Sequence, residues 1–109
     1  MEVAQVMAVT VTAQPEDLSV LVNWSPDTEN YTGFEVFRGT SLIGEVLKGN
    51  DLEWLDTEGE LGAFTHYFVR AFLLDNGEKV YSHFANDGTI YPILEPIRNL
   101  TLTPVEDKN

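Results

Sequence analysis

The chain has 109 residues, 43% hydrophobic and 11% aromatic, enough apolar mass for one compact core and too much for global disorder. Its 18 acidic and 6 basic residues leave a formal net charge of −12, which argues against nucleic acid and against anionic membrane surfaces, since both are bound through Lys/Arg patches. There is no cysteine, so disulfide scaffolds, thiol catalysis and cysteine-rich zinc sites are excluded, whereas the compartment stays open.

The acidity reads first as solubility and second as affinity for calcium or for a basic partner. No apolar run approaches the ~20 residues of a membrane span, so membrane insertion is not expected. Met1-Glu2-Val3 opens no secretory signal. An exported protein would carry that signal upstream of this segment, or would leave by assembly into a virus particle.

The pattern along the chain has a period of two. Val3 to Thr12 alternates Val and Thr, with Val9 and Val11 on one face, and Gln14-Pro15-Glu16-Asp17 breaks it. In the next strand Leu18, Val20, Val22 and Trp24 share a face. A polar loop from Ser25 to Asn30 precedes Tyr31 to Arg38, where Phe34 and Val36 face one way and Glu35 and Phe37 the other. Short strands follow at Leu42 to Leu47 and Leu52 to Asp56.

The longest strand signal is a hairpin, Phe64 to Leu74 and about Val80 to Phe84, around Asp75-Asn76-Gly77-Glu78. Asn76-Gly77 suits a turn with two residues at positive φ. Asn86-Asp87-Gly88 is expected to bulge or break the last strand before it resumes at Thr89-Ile90-Tyr91. No stretch of ten or more residues keeps a 3.6 period, so almost no helix is expected. About seven short strands with frequent turns predict an all-β sandwich.

The tail repeats the start. Leu100-Thr101-Leu102-Thr103 before Pro104-Val105-Glu106-Asp107 echoes Val9-Thr10-Val11-Thr12 before Pro15-Glu16-Asp17, and Pro92 and Pro96 flank a linker ahead of it. The reading is one domain over residues 1–92, then a linker and the first strand of a following repeat over 93–109.

Four segments, Leu21-Val22-Asn23-Trp24-Ser25-Pro26, Tyr31 to Gly39 (YTGFEVFRG), Trp54-Leu55-Asp56-Thr57 and Tyr67-Phe68-Val69-Arg70-Ala71-Phe72, stand in an order and spacing that resembles a fibronectin type III domain, an immunoglobulin-like β-sandwich. The bacterial and phage versions are the most similar. The resemblance covers about residues 5 to 92. It implies a buried Trp24, inward Phe34 and Val36, and Trp54 in the aromatic place before Asp56-Thr57. Leu61 fits the leucine ahead of the sixth strand. The family's corner tyrosine is missing: Thr65 stands there, with Tyr67 as the nearest replacement.

No catalytic constellation stands out, and no cofactor or metal is expected. His66 and His83 lie on facing arms of the hairpin, where a metal pair is conceivable but ordinary strand histidines are the better reading. The acids fall mainly in loops, Asp27, Glu29, Asp51, Asp56, Glu58 and Asp87 among them, and solvated loops are favoured over a calcium site. With Tyr67, Val69 and Ala71 inward, His66, Phe68, Arg70 and Phe72 point outward, joined by Phe37 and Glu35. Phe37, His66, Phe68 and Arg70 are therefore the candidate binding residues, for a protein or a surface glycan.

The expected role is a non-catalytic spacer or protein-interaction module in a larger extracellular, cell-surface or virion protein. Neighbouring domains would be its partners. The alternative is an accessory module of a secreted polysaccharide-degrading enzyme.

Overall fold

A computed structural model describes residues 2–93. The proposed linker and repeat strand, from residue 94 onward, lie outside the described residues.

Eight strands form two antiparallel sheets: β1 (Val6–Gln14), β2 (Ser19–Pro26), β3 (Gly33–Arg38), β4 (Ser41–Leu47), β5 (Glu53–Asp56), β6 (Phe64–Asp75), β7 (Glu78–Tyr81) and β8 (Ala85–Ile90). There is no helix among the described residues. The three-stranded sheet runs β1-β2-β5. The five-stranded sheet runs β4-β3-β6, with β7 and β8 both pairing β6 on its far side. The expected all-β sandwich is thus found, its seventh strand broken into β7 and β8.

Period-two alternation supplies the core. Val20, Val22 and Trp24 of β2 face Phe34 and Val36 of β3 and Tyr67, Val69 and Ala71 of β6, all buried. Each large apolar side chain buried there contributes about 1.5–3 kcal/mol. Trp24 meets Phe34 with ring centroids 5.5 Å apart. Trp54 closes the open side by lying over Gly44, where a Cβ would come within 2.6 Å of its ring.

The longest strand folds back where expected. Asn76 and Gly77 both have positive φ, 55° and 83°, which matches the twist of the two arms. Leu18 departs from expectation: it is a turn residue at φ 52° ahead of β2, not a member of the inward row. The Gln14–Leu18 turn uses it to reverse the chain. Leu61 lies ahead of β6, as expected, and is half exposed.

The break in the last strand falls at Ser82–Phe84, not at Asn86-Asp87-Gly88, which pair in register with Phe68, Tyr67 and His66. Tyr81 faces Phe72 and Ala85 faces Val69, so β7–β8 uses one more residue than β6 over the same length. That is a β-bulge. The backbone N–H of Ser82 still donates to the Ala71 carbonyl (2.9 Å), and its Oγ accepts from the Ala71 N–H (2.8 Å). Every residue after the bulge changes side. Ala85, not Phe84, turns toward the core, and Phe84 goes out.

Candidate binding face on the five-stranded sheet

The two sheets are tied by a buried acid. Asp56, in β5, is 2% exposed. Its carboxylate accepts a two-pronged bond from Arg38 (Nη2 2.7 Å, Nε 2.9 Å), one from the Tyr67 hydroxyl (2.5 Å) and one from the Glu58 N–H (3.1 Å). Burial pushes the Asp56 carboxyl up, but these donors outweigh it and hold it below the usual carboxylate range. Tyr67 moves the other way: burial, then the Asp56 carboxylate, push its hydroxyl well above the usual tyrosine value. Tyr91 adds a second tie, donating to the Leu18 carbonyl at 2.7 Å.

Asp56 is therefore no solvated loop acid, contrary to the sequence expectation. It has structural partners on every side. Tyr67 does the work expected of the missing corner tyrosine, and Thr65 bonds only its local backbone, at Ala63.

The outer face of the five-stranded sheet is graded along β6. At one end Phe72 is 1% exposed, correcting its expected place on the open face. Its ring lies over Gly33, its cross-strand partner, because that position has no Cβ, and Lys79 Nζ sits 4.3 Å from the ring centroid. Glu35 is likewise buried, at 4%. It is held by Arg70 and Lys79, each at 2.9 Å, and Lys79 also reaches Glu45 at 2.8 Å. Burial pushes the Glu35 carboxyl up, and these two cations more than reverse it.

Next comes Arg70, whose guanidinium lies 3.6 Å from the Tyr81 ring centroid, 4.9 Å from Phe84 and 5.3 Å from Phe37. Its charge is spent on Glu35 and its flat face on aromatic rings. Phe84 stands edge-on to Phe37 (5.3 Å, 86°) and to Phe68 (6.0 Å, 80°). These three rings and the Gly39-Thr40 turn line a cleft of about 320 Å³ with almost no polar atoms. Beyond it His66 packs edge-on to Phe64 at 4.9 Å, and Phe64 is 59% exposed.

The four sequence candidates thus share one face: Phe37 and Phe68 wall the cleft, Arg70 supports it, and His66 flanks it. Sequence reasoning missed Phe84. Its signal was present as an aromatic in the hairpin, but its side depends on the bulge. The two histidines are not brought together. His66 faces Gly88, while His83 lies in the bulge, its N–H bonded to Gln5. No group of three or more metal-ligating side chains occurs among the described residues. In the Asp27-Thr28-Glu29-Asn30 loop, Asp27 accepts from the Gln5 N–H and Thr28 from the Asn30 N–H, so these oxygens serve the backbone.

No family model matches this chain. No curated protein matches it either. Among solved structures it is similar to an Fn3-like protein of Clostridium thermocellum, with TM-score 0.65, 20% identity, and 87% of this chain covering 99% of that one. It also resembles part of the spore cortex lytic enzyme SleM of Clostridium perfringens (TM-score 0.63, 15% identity, 78% of this chain and 27% of that one). Part of pectate lyase Pel3 of Pectobacterium carotovorum is similar too (TM-score 0.59, 21% identity, 84% and 28%). The chain spans little more than a quarter of either enzyme's length. At these identities the likeness establishes an Fn3-like fold.

Proposed function

We propose that this chain is a non-catalytic Fn3-like module of a larger extracellular, cell-surface or virion protein, and that it is an interaction module rather than a passive spacer. The observation that carries this reading is the apolar cleft of Phe37, Phe68 and Phe84. A spacer needs only a stiff sandwich and a short linker. Here a bulge turns Phe84 out of the core and leaves it 47% exposed beside two further rings. Apolar surface displayed in this way favours contact with a partner. The non-catalytic part is supported by the fate of the perturbed acids, since Asp56 and Glu35 are both saturated by partners from this same chain.

The test compares the 109-residue chain with its Phe37→Ser/Phe68→Ser variant, against the domains encoded beside it and against a glycan array. Loss of binding with an unchanged circular dichroism spectrum is the expected result. Equal binding by both proteins, or none by either, would overturn the interaction reading and leave the spacer.

A second reading, an accessory module of a polysaccharide-degrading enzyme, is favoured by the neighbours: SleM and Pel3 are enzymes in which the similar portion is about a quarter of the chain. The coding sequence flanking residues 1 and 109 decides it. A polysaccharide-cleaving domain there is the expected finding, and tail or capsid segments would exclude it.

A further inference from the structure

The cleft of the proposed interaction face has a charge setting that selects among partners. The cations of the described residues are Arg38, Lys48, Arg70 and Lys79, and all are ion-paired within the fold: with Asp56, Glu29, Glu35, and Glu35 plus Glu45 respectively. The Lys48–Glu29 pair, at 3.6 Å and exposed, is the weakest of them, and the other three cations each meet a carboxylate within 2.9 Å. The remaining carboxylates meet no cation among the described residues, so the excess negative charge belongs to the domain as a whole. A surface of this kind repels acidic polysaccharides and second copies of the same −12 chain, and attracts cations.

The cleft itself is unsuited to sugar. Its walls offer almost no hydrogen-bonding atoms, so sugar hydroxyls placed there would lose water without compensation. Phe84 stands at 86° and 80° to its two neighbours, so the rings do not form a flat stacking platform. The hollow has the size and polarity to take one aromatic side chain, the commonest anchor of protein interfaces.

We propose that this cleft binds a partner polypeptide through one aromatic anchor flanked by Lys or Arg residues. The inference rests on the interaction reading above. The apolar cleft holds the anchor, and the net negative charge of the chain speeds and orients the encounter.

The test uses amide chemical-shift mapping on the full chain with synthetic nonapeptides. One has a central tryptophan between lysines, and others replace the lysines by serine or by glutamate, or the tryptophan by alanine. The lysine-flanked peptide is expected to shift Phe37, Gly39, Phe68 and Phe84. Its alanine-centred form should bind about tenfold more weakly, as for loss of a single interface anchor. Binding should fall in about 1 M salt, where the Debye length is about 3 Å. Equal binding of the lysine and serine peptides would overturn the basic-partner claim while the interaction face stands. So would cleft shifts with a neutral oligosaccharide such as cellohexaose alone, or concentration-dependent shifts from self-association. Shifts only outside the cleft, or none with any probe, would overturn both this inference and the reading beneath it.

Discussion

The two faces of β6 have opposite fates, and the one richer in aromatic rings is the more exposed. On the inner face Tyr67, Val69 and Ala71 are fully buried, and the one polar group, the Tyr67 hydroxyl, is spent on Asp56. On the outer face the row Phe72, Arg70, Phe68, His66, Phe64 runs from 1% exposure at one end to 59% at the other. The inner face is covered evenly because a whole second sheet lies over it. The outer face is covered only as far as Gly33, Lys79 and the Glu35 ion pairs extend. Alternation assigns a side chain to a side of the sheet, and what covers that side is decided by neighbours distant in sequence.

The strongest way to break the comparison is to remove the acid that locks the inner face. Asp56→Ala leaves the Arg38 charge, on a side chain 25% exposed, and the fully buried Tyr67 hydroxyl without their partner. A loss of about 3–5 kcal/mol in urea unfolding is expected, as for other broken buried pairs. The same tie sets the pH response. Asp56 and Glu35 have folded-state pKa values below their ordinary 3.8 and 4.5. Their contribution is therefore fully present above about pH 5 and is lost as pH falls through the folded values. Tyr67, Tyr91 and Tyr31 are raised above 10.0, so their contribution is present below pH 10 and lost as pH rises beyond it. Thermal melts of the wild type should fall steeply on the acid side, and those of Asp56→Ala less steeply. Parallel acid limbs would show that Asp56 does not carry the effect.

A smaller effect comes from moving a ring between faces. Deleting His83 takes out the extra residue of the bulge. Phe84 should then face Val69 and crowd the position that Ala85 fills, at a cost of about 1–3 kcal/mol for overpacking. The Phe37–Phe84 nuclear Overhauser contacts should vanish with it. Their survival would mean that the bulge is not what holds Phe84 outside.

Most of the fold was legible in the sequence because its signals are local. Phe34 with Val36, and Tyr67 with Val69 and Ala71, announce an inward row by spacing alone, and Asn76-Gly77 announces its turn by chemistry. What escaped depends on contacts across the sheets. Asp56 looks like any acid at the end of a strand until Arg38 and Tyr67, from the other sheet, are seen to converge on it. Phe72 and Glu35 are outward by parity yet buried by Lys79, which lies beyond the turn. The candidate face was half legible: Phe37 and Phe68 follow from parity, but Phe84 lies past a one-residue slip placed at Ser82–Phe84 rather than at the Asn86-Asp87-Gly88 that looks more like a breaker. Glycine and asparagine permit irregular backbone without requiring it, and here Gly88 instead makes room for the Phe64 ring.

The smallest effect separates exposure from importance at the open end of the outer face. Phe64→Ser removes the most exposed aromatic of the row, edge-on to His66 and paired across to Ile90, itself 53% exposed. Little water-free contact is lost, so the unfolding free energy from urea titration should stay within about 0.5 kcal/mol of wild type. Because Phe64 does not line the cleft, affinity for the lysine-flanked tryptophan peptide should stay within about twofold, a difference of under 0.5 kcal/mol. A large loss of affinity at unchanged stability would extend the binding face along the whole length of β6, and the cleft would then be one end of a longer contact surface rather than its centre.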